Sequence, residues 1–288
     1  MSGTLRNRSQ EMAAIKFKNI RFDNLYLLLA VSALILPGHA AADAATELAK
    51  KTQNPVSDLI SVPFENNANF NAGPDDKVLN VLNIKPVVPI KLTDEWNLIN
   101  RAIIPVISQP GVDGTPVGRK NGVGDITYQG FFSPNPKPGG LVWGIGPQIQ
   151  IPIHTNSRLG NQRWAAGPNV VVLDMEGKTV KGFLLSQVWD VTNSKDEDIS
   201  FMTFQPFYNY NFGKGWYAVA NPVITADWEA NGSDQWTVPI GGGVGRVMHW
   251  GKQAVNLRLA AFGNIVRPTD GSDYNIQLTM QFMFPNEK

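Results

Sequence analysis

The sequence predicts an all-β fold, specifically an antiparallel transmembrane β-barrel of about 12 strands that follows a cleaved signal peptide. Three observations lead to this prediction: an apolar N-terminal leader, segments that alternate apolar and polar residues, and connections that alternate in length. In the last segment, 274–284, polar residues share one face and apolar residues the other, with Met283 as the exception. Such a strand is typical of a half-buried sheet and equally of a barrel with lipid outside and water inside.

Residues 1–42 have the three-part layout of a secretory signal peptide. Five basic residues precede a 12-residue apolar run over 25–36, and Pro37-Gly38 ends that run. The small residues that follow favour cleavage after Ala42, with Ala40 as the alternative. The run is shorter than the roughly 20 residues of a membrane-spanning helix. We therefore expect an exported protein: periplasmic, secreted or inserted in the outer membrane.

The composition narrows the function classes. Removal of 1–42 leaves 20 basic and 22 acidic residues, so no basic surplus suggests a nucleic-acid partner. The chain has no cysteine, which excludes disulfides and thiol chemistry. Glycine (27) and proline (20) are plentiful while 17% of residues are charged, a mixture that favours strands and tight turns.

The mature chain divides into two parts. Residues 43–59 are predicted to form an N-terminal periplasmic segment, with a short helix over 41–51 that ends before Pro55. Residues 60–288 are predicted to form the barrel. Its twelve strand-like segments are 60–70, 78–92, 96–108, 123–132, 141–153, 164–173, 179–189, 199–212, 215–229, 236–250, 253–266 and 274–284.

The connections between these segments alternate in length. Longer ones cover 73–76, 109–122, 154–163, 192–198, 230–235 and 268–273, and shorter ones cover 93–95, 174–178, 213–215 and 250–252, with 133–140 intermediate. Bacterial outer-membrane barrels have short periplasmic turns, long outer loops and an even strand number. Tryptophans lie beside both kinds of connection, as aromatic girdles require: Trp96, Trp216 and Trp250, and Trp164, Trp189, Trp228 and Trp236. The alternative, a soluble all-β protein, needs no such alternation.

Six prolines fall inside predicted strands: Pro86, Pro105, Pro147, Pro206, Pro222 and Pro239. Proline removes a ladder donor, so we expect bulges or kinks there. The glycine-rich stretch 238–246 lacks the Lys-Ser/Thr ending of a phosphate loop and opens no helix. Its glycines instead favour a strongly coiled strand, or close approach of a neighbouring side chain.

No catalytic constellation emerges, and the sequence predicts no enzyme, no cofactor and no metal site. His154 and His249 are predicted at opposite ends of the barrel, so they cannot share a metal or a triad. A lipid-modifying barrel needs a serine within hydrogen-bond reach of a histidine. Ser186 and Ser200 lie inside strands, away from both histidines.

The polar strand faces are predicted to line the lumen. The candidate lumenal residues are Lys85, Lys91, Gln148, Gln150, Gln205, Asn209, Asn221, Asp227 and Arg258. Opposite charges across a lumen either brace a closed barrel or set the field of an open pore, and both alternatives stay open. Twelve strands lie between the filled 8-stranded barrels and the open 16-stranded porins.

Several stretches resemble one group of bacterial exported proteins, among them NPVSDLISVPFENNANFN (54–71), LTDEWNLINRAIIPVI (92–107) and WTVPIGGGVGRV (236–247). The group is catalogued as outer-membrane transporters related to the outer-membrane protein of the phenol meta-cleavage pathway, and some members are labelled "neuromedin U". The resemblance extends from about residue 47 to residue 285. It implies a barrel in the cell outer membrane that serves as a channel or transporter for small, hydrophobic or aromatic solutes.

Other functions remain as alternatives: a non-conducting structural or assembly barrel, a lipid-modifying barrel enzyme, or a soluble periplasmic β-protein. The expected partners are outer-membrane lipid, an unidentified small solute and the barrel-assembly machinery. The aromatic end of the last strand, Phe284, resembles the C-terminal signal which that machinery recognises. It departs from the signal because four residues, 285–288, follow.

Overall fold

The computed structural model describes residues 40–115, 117–136, 139–192 and 198–284. Most of the predicted signal peptide lies outside these ranges. The first described element is helix α1, Ala40–Gln53, so the predicted cleavage position after Ala42 falls in its first turn. The helix ends at Asn54, whose side-chain oxygen accepts a hydrogen bond from the backbone nitrogen of Val56 at 2.9 Å.

The described ranges contain fifteen strands in one antiparallel sheet. Their bounds are β1 Ile60–Ala72, β2 Lys77–Ile84, β3 Val87–Lys91, β4 Trp96–Gln109, β5 Lys120–Val123, β6 Ile126–Pro134, β7 Val142–Ile151, β8 Ala165–Glu176, β9 Thr179–Asp190, β10 Ser200–Gly213, β11 Trp216–Ala220, β12 Ile224–Asp227, β13 Trp236–Trp250, β14 Gln253–Val266 and β15 Tyr274–Phe284. A 3₁₀ turn, Gly232–Gln235, precedes β13.

Three pairs of these strands are interrupted halves of one barrel strand: β2 with β3, β5 with β6, and β11 with β12. The described ranges therefore form a barrel of twelve strands, as predicted. The sheet closes because β1 pairs with β15 from Ile60↔Phe284 to Phe70↔Tyr274. Closure leaves the sheet without a free terminal strand, as a membrane-spanning sheet requires.

The prolines disturb the sheet at some of the expected places. Pro86 and Pro222 lie in two of the interruptions, and the register with β14 shifts at Pro239. The carbonyl of Pro105 accepts a hydrogen bond from Gly124 at 2.9 Å, where the neighbouring strand is interrupted. The β9–β10 register runs unbroken past Pro206, but on the other side of β10 the pairing stops at Phe204↔Ile224 and resumes at Tyr208↔Ala220, so the expected irregularity lies on that side alone.

The two ends of the barrel differ in their connections. Two-residue turns join β8 to β9, β10 to β11 and β13 to β14, and the middle one, Lys214-Gly215, has positive φ at both positions (55° and 77°). This is the backbone of a type I′ hairpin turn, whose second position favours glycine. Both ends of the barrel chain, Ile60 and Phe284, lie at this short-turn end. The alternation is not strict, because the connection 73–76 has four residues, like 92–95 at the opposite end.

The outer face of the barrel is apolar and the inner face is largely polar. In β15 the side chains of Gln277, Thr279 and Gln281 are buried inside the barrel. Met283 is also buried inside, packed against helix α1, which explains why it breaks the alternating pattern. Large apolar side chains are exposed on the outer face, including Val88, Ile90, Ile145, Phe212, Ile240, Val244 and Leu259.

Aromatic pairs mark both rims of the outer face. Trp96 and Trp143 make an edge-to-face contact of 5.8 Å between ring centroids at the short-turn end. Trp228 and Trp236 make a similar contact of 5.5 Å at the long-loop end. These rings form the two girdles that the positions of the tryptophans predict.

Candidate lumenal binding site

The N-terminal segment enters the barrel at the short-turn end. Helix α1 packs through Ala49 against the inward-facing side chains of Tyr217, Val247 and Met283. The hydroxyl of Thr46 accepts a hydrogen bond of 3.3 Å from the backbone nitrogen in the turn between β10 and β11. The helix is therefore anchored level with the short turns.

The chain after the helix passes deeper into the lumen. Val56 belongs to a buried apolar cluster of inward-facing residues that also contains Ile99, Phe131, Val142, Val171, Leu173, Val180, Leu184 and Phe207. Gln53 and Asn211 exchange two amide hydrogen bonds of 3.0 Å and 3.2 Å. These contacts place residues 45–57 inside the mouth of the barrel.

A cavity of about 160 Å³ remains between this segment and the barrel wall. The N-terminal segment contributes Thr52, Gln53, Asn54, Pro55 and Ser57 to its lining. Polar side chains from the wall complete much of the surface, including Gln205, Asn209, Asn221, Asn256, Thr279 and Gln281. We call this space the central cavity.

A charged cluster lies on one side of the central cavity. Glu65 of β1 forms ion pairs with Lys85 and with Arg258, the second at 2.9 Å between Nη2 and Oε2. The same nitrogen of Arg258 donates to Gln277 at 2.9 Å and to Thr279 at 3.0 Å. One carboxylate thus fixes two cationic side chains against the wall.

A third cation, Arg101 of β4, lines the same cavity. It interacts electrostatically with Glu65 but makes no hydrogen bond or ion pair with any residue that the structure describes. Nε of Arg258 is likewise buried without a partner in the described chain. The guanidinium of Arg101 therefore has N–H donors without a hydrogen-bond acceptor in the described chain.

The opposite side of the central cavity is more apolar. Leu184, Phe207 and Val219 line it, from β9, β10 and β11. Tyr217 lies between the two sides, and its hydroxyl donates to Asn256 at 2.8 Å. The cavity is thus cationic on one side, whereas the other side is uncharged and combines these apolar side chains with the amides of Gln205, Asn209 and Asn221.

The structure brings five of the nine predicted lumenal residues together. Lys85, Gln205, Asn209, Asn221 and Arg258 line the central cavity.

The other four predicted residues lie elsewhere. Gln150 and Asp227 line a separate recess at the long-loop end. Gln148 is buried in the wall and accepts a hydrogen bond from the side chain of Gln129 at 2.6 Å. Lys91 is exposed at the short-turn rim, where it pairs with Asp94 at 2.7 Å.

The prediction missed Glu65, Arg101 and the N-terminal residues that line the cavity. Glu65 lies in the segment with the weakest strand pattern, and the segment of Arg101 has no clean alternation. A charged side chain between apolar residues of a strand nevertheless indicates a lumenal position, because charged residues are unfavourable on the lipid-facing side of a membrane barrel. Nothing in the sequence pattern indicates that residues 52–57 turn into the lumen.

The two histidines lie apart, as predicted. Nδ1 of His154 lies 2.7 Å from Oδ1 of Asp125, near the long-loop end, whereas His249 is exposed beside the turn from β13 to β14. The described residues contain no group of three or more His, Asp or Glu side chains arranged to hold a metal ion. No helix in those ranges is long and apolar enough to cross a membrane.

Comparison with known proteins identifies related folds. No family model matches the chain, and no curated protein does. The crystal structure of the COG4313 outer membrane channel from Pseudomonas putida F1 matches with a TM-score of 0.61 and 15% identity, over 80% of this chain and 96% of that chain. At this identity the match shows a shared barrel fold.

Two further solved structures match with lower scores. The CymD monoaromatic hydrocarbon channel has a TM-score of 0.44 and 9% identity, over 85% of this chain and 93% of that chain. A Pseudomonas aeruginosa FadL homologue has a TM-score of 0.38 and 9% identity, over 80% of this chain and 92% of that chain.

Proposed function

We propose that this chain is an outer-membrane β-barrel channel for small solutes, and that its own N-terminal segment keeps the lumen nearly closed. The observation that supports it most is the distribution of polarity. The outer face exposes large apolar side chains such as Ile240 and Val244, whereas the inner face encloses a charged and polar cavity. A soluble barrel would have the opposite arrangement, because its apolar faces would be buried.

Lipid is the partner that fits the outer face. The aromatic pairs at the two rims match the positions at which tryptophans meet the membrane interfaces. The short turns would face the periplasm and the long loops the exterior, as in bacterial outer-membrane barrels. On this orientation the N-terminal segment closes the periplasmic mouth, and the C-terminal strand supplies the aromatic end for the assembly machinery.

The solute class follows from the resemblance and from the lumen together. The resembled family implies small hydrophobic or aromatic solutes, and the central cavity has one apolar side that suits them. A channel with so small a cavity passes only small solutes unless the N-terminal segment moves.

The proposal is tested with refolded full-length protein in lipid vesicles. Val56→Asp would place a charge in the apolar cluster that holds the N-terminal segment, and an unpaired buried charge is costly. We expect wild-type vesicles to have low permeability to ions, and Val56→Asp vesicles to have a conductance several-fold higher. The matched control is Glu47→Ala, which removes an exposed helix pair with Lys50 and should leave permeability unchanged.

Folding is checked separately from transport. A folded barrel migrates differently before and after boiling on a denaturing gel, and fractionates with the outer membrane. If both proteins fold but neither passes ions or solutes, the chain is a filled structural barrel. If the protein fractionates as soluble, the membrane assignment is wrong.

A further inference from the structure

The central cavity has a surplus of positive charge. Lys85, Arg101 and Arg258 line it, and Glu65 is the one carboxylate among its described lining residues. Glu65 binds both Lys85 and Arg258, so a single negative charge is shared among three positive charges. Charge held away from bulk water costs free energy unless an opposite charge compensates it. This surplus therefore favours an anion in the cavity.

Hydrogen-bond donors are available to that anion. Arg101 lines the cavity and has no hydrogen-bond partner among the described residues. A guanidinium group presents parallel N–H donors in a planar fork that matches the two oxygens of a carboxylate. The lysine ammonium adds a point charge without that directionality. The donor set thus fits a carboxylate better than a spherical ion.

The facing wall supplies a surface for an apolar group. Arg101 lies on β4 and Val219 on β11, six positions away in the ring of twelve strands, so the two residues lie on opposite sides of the lumen. Leu184 and Phe207 extend the apolar surface on β9 and β10. A ligand that spans the cavity meets cations at one end and, at the other, these apolar side chains with the uncharged amides of Gln205 and Asn209 beside them.

The volume limits the size of the ligand. The central cavity measures about 160 Å³. A cavity of roughly 150 Å³ in another protein accommodates benzene. One aromatic ring, or a short branched aliphatic chain, is therefore the largest apolar body that fits beside a carboxylate without movement of the N-terminal segment.

We propose that the lumen contains a binding site for a small organic carboxylate with an apolar body, and that a one-ring aromatic carboxylate fits it best. The carboxylate lies between Arg101 and Arg258, and the ring packs towards Leu184 and Phe207. A conduction path needs a site that a solute can enter and also leave, so millimolar affinity is expected. The physiological meaning of this site rests on the proposed channel function, whereas the binding itself does not require transport.

The first test uses wild-type protein refolded in detergent micelles, with benzoate as the probe. Saturation-transfer NMR should detect saturable binding of benzoate, and benzamide of the same shape should bind at least tenfold more weakly. Inorganic phosphate at equal concentration should not displace benzoate. Equal binding of benzoate and benzamide would overturn the role of the carboxylate. Displacement by phosphate as effective as by benzoate would overturn the role of the apolar wall.

The second test locates the site. Arg101→Gln removes the unpaired guanidinium and should weaken benzoate binding at least tenfold. The matched control is Arg119→Gln, because Arg119 lies in a long loop and donates to Ser108 and to the carbonyl of Val78. Its benzoate affinity should stay within twofold of wild type. A folded Arg101→Gln barrel with unchanged affinity would overturn the site, and the wild-type ligand comparison decides the matter if that variant does not fold.

The two proposals fail in different ways. If the protein conducts ions yet neither binds benzoate nor prefers benzoate to benzylammonium, that result would overturn the carboxylate site and leave the channel. If the wild type instead binds benzoate while Val56→Asp vesicles remain impermeable, that result would support the site and overturn the channel.

Discussion

The lumen of this barrel is filled in two different ways. On the side formed by β6 to β10, together with Ile99 of β4, inward-facing apolar residues pack around Val56 as in the core of a soluble protein. On the side formed by β14, β15, β1, β2 and β4, polar and charged residues form a network centred on Glu65. The first region stabilises the N-terminal segment inside the barrel. The second leaves donors and space for a solute.

The difference shows how one chain can both close and line a lumen. Apolar packing is non-directional, so the cluster around Val56 tolerates no water and seals its side. A hydrogen-bonded network has fixed directions and leaves gaps where a partner is missing, as at Arg101. If this comparison is correct, substitutions in the two regions should differ in the property that they disturb most.

The largest expected effect is on stability, from Phe131→Ala in the apolar region. Phe131 has no exposed surface, so truncation leaves a cavity and should lower the free energy of unfolding by about 3–5 kcal/mol. Guanidinium unfolding from micelles measures this loss. The control is Phe132→Ala, the next residue, which is 43% exposed on the outer face. Equal losses for the two variants would mean that the apolar region is not a packed core.

The charged region should respond less, and differently. Glu65→Gln removes the negative charge that Lys85 and Arg258 share, while the amide oxygen of the glutamine still accepts from one of them. One lost hydrogen bond to a charged group costs about 1.5–3 kcal/mol, so we expect a loss of about 2–3 kcal/mol. The double variant Glu65→Gln with Lys85→Met should recover at least about 1 kcal/mol, because it removes one of the cations left unpaired. If the stability losses of Glu65→Gln and Lys85→Met simply add in the double variant, the two residues are not energetically coupled.

A third variant tests the contact between helix α1 and the polar lining of the cavity. Tyr217 packs against Ala49 and also donates to Asn256, and a methyl group added at Gly245 would overlap its ring. Gly245→Ala should therefore cost about 1–2 kcal/mol through overpacking. It should also weaken benzoate binding, since Tyr217 lines the central cavity.

The control for that variant is Gly263→Ala on the adjacent strand, where an added methyl group meets nothing within 4 Å. Its unfolding free energy and benzoate affinity should match wild type. If Gly245→Ala loses stability but keeps its benzoate affinity, the packing of helix α1 and ligand binding in the central cavity are independent.

The barrel itself was predictable from sequence because its pattern is repeated. Alternation of apolar and polar residues, turn spacing and terminal aromatics each recur along the chain, so an error in one segment does not change the fold. Three of the twelve strands are interrupted near Pro86, Gly124 and Pro222. The two prolines indicate their interruptions in the sequence. The interruption at Gly124 has no such local sign, and a Cβ there would lie 2.6 Å from Cδ1 of Ile107 and 2.8 Å from the carbonyl oxygen of Leu159.

The central cavity was only partly predictable. Lys85 and Arg258 follow from the face pattern, because each lies on the polar side of an alternating segment. Their partner Glu65 comes from a segment that is rich in asparagine on both faces, which hides its register. The N-terminal segment depends on long-range contacts such as Gln53 with Asn211, and no local pattern encodes a contact across 158 residues.

The smallest expected effect lies in the outer loops, which belong to neither region. The carboxylate of Asp234 accepts hydrogen bonds from the backbone nitrogen of Thr269 at 2.7 Å and from its hydroxyl at 2.9 Å, and these bonds hold the pKa of Asp234 below its usual value. The link between the two loops is therefore fully present above the unfolded pKa of about 3.9 and is lost as the pH falls through the lower folded value.

Hydrogen exchange at the Thr269 amide, corrected for intrinsic rates, should show protection at pH 5 that declines below pH 3, and Asp234→Asn should remove most of it. The unfolding midpoint of the barrel should not change, because the carboxylate is exposed and far from the lumen. A fall in that midpoint as large as that of Glu65→Gln would show that loop contacts, and not the two lumenal regions, determine the stability of the barrel.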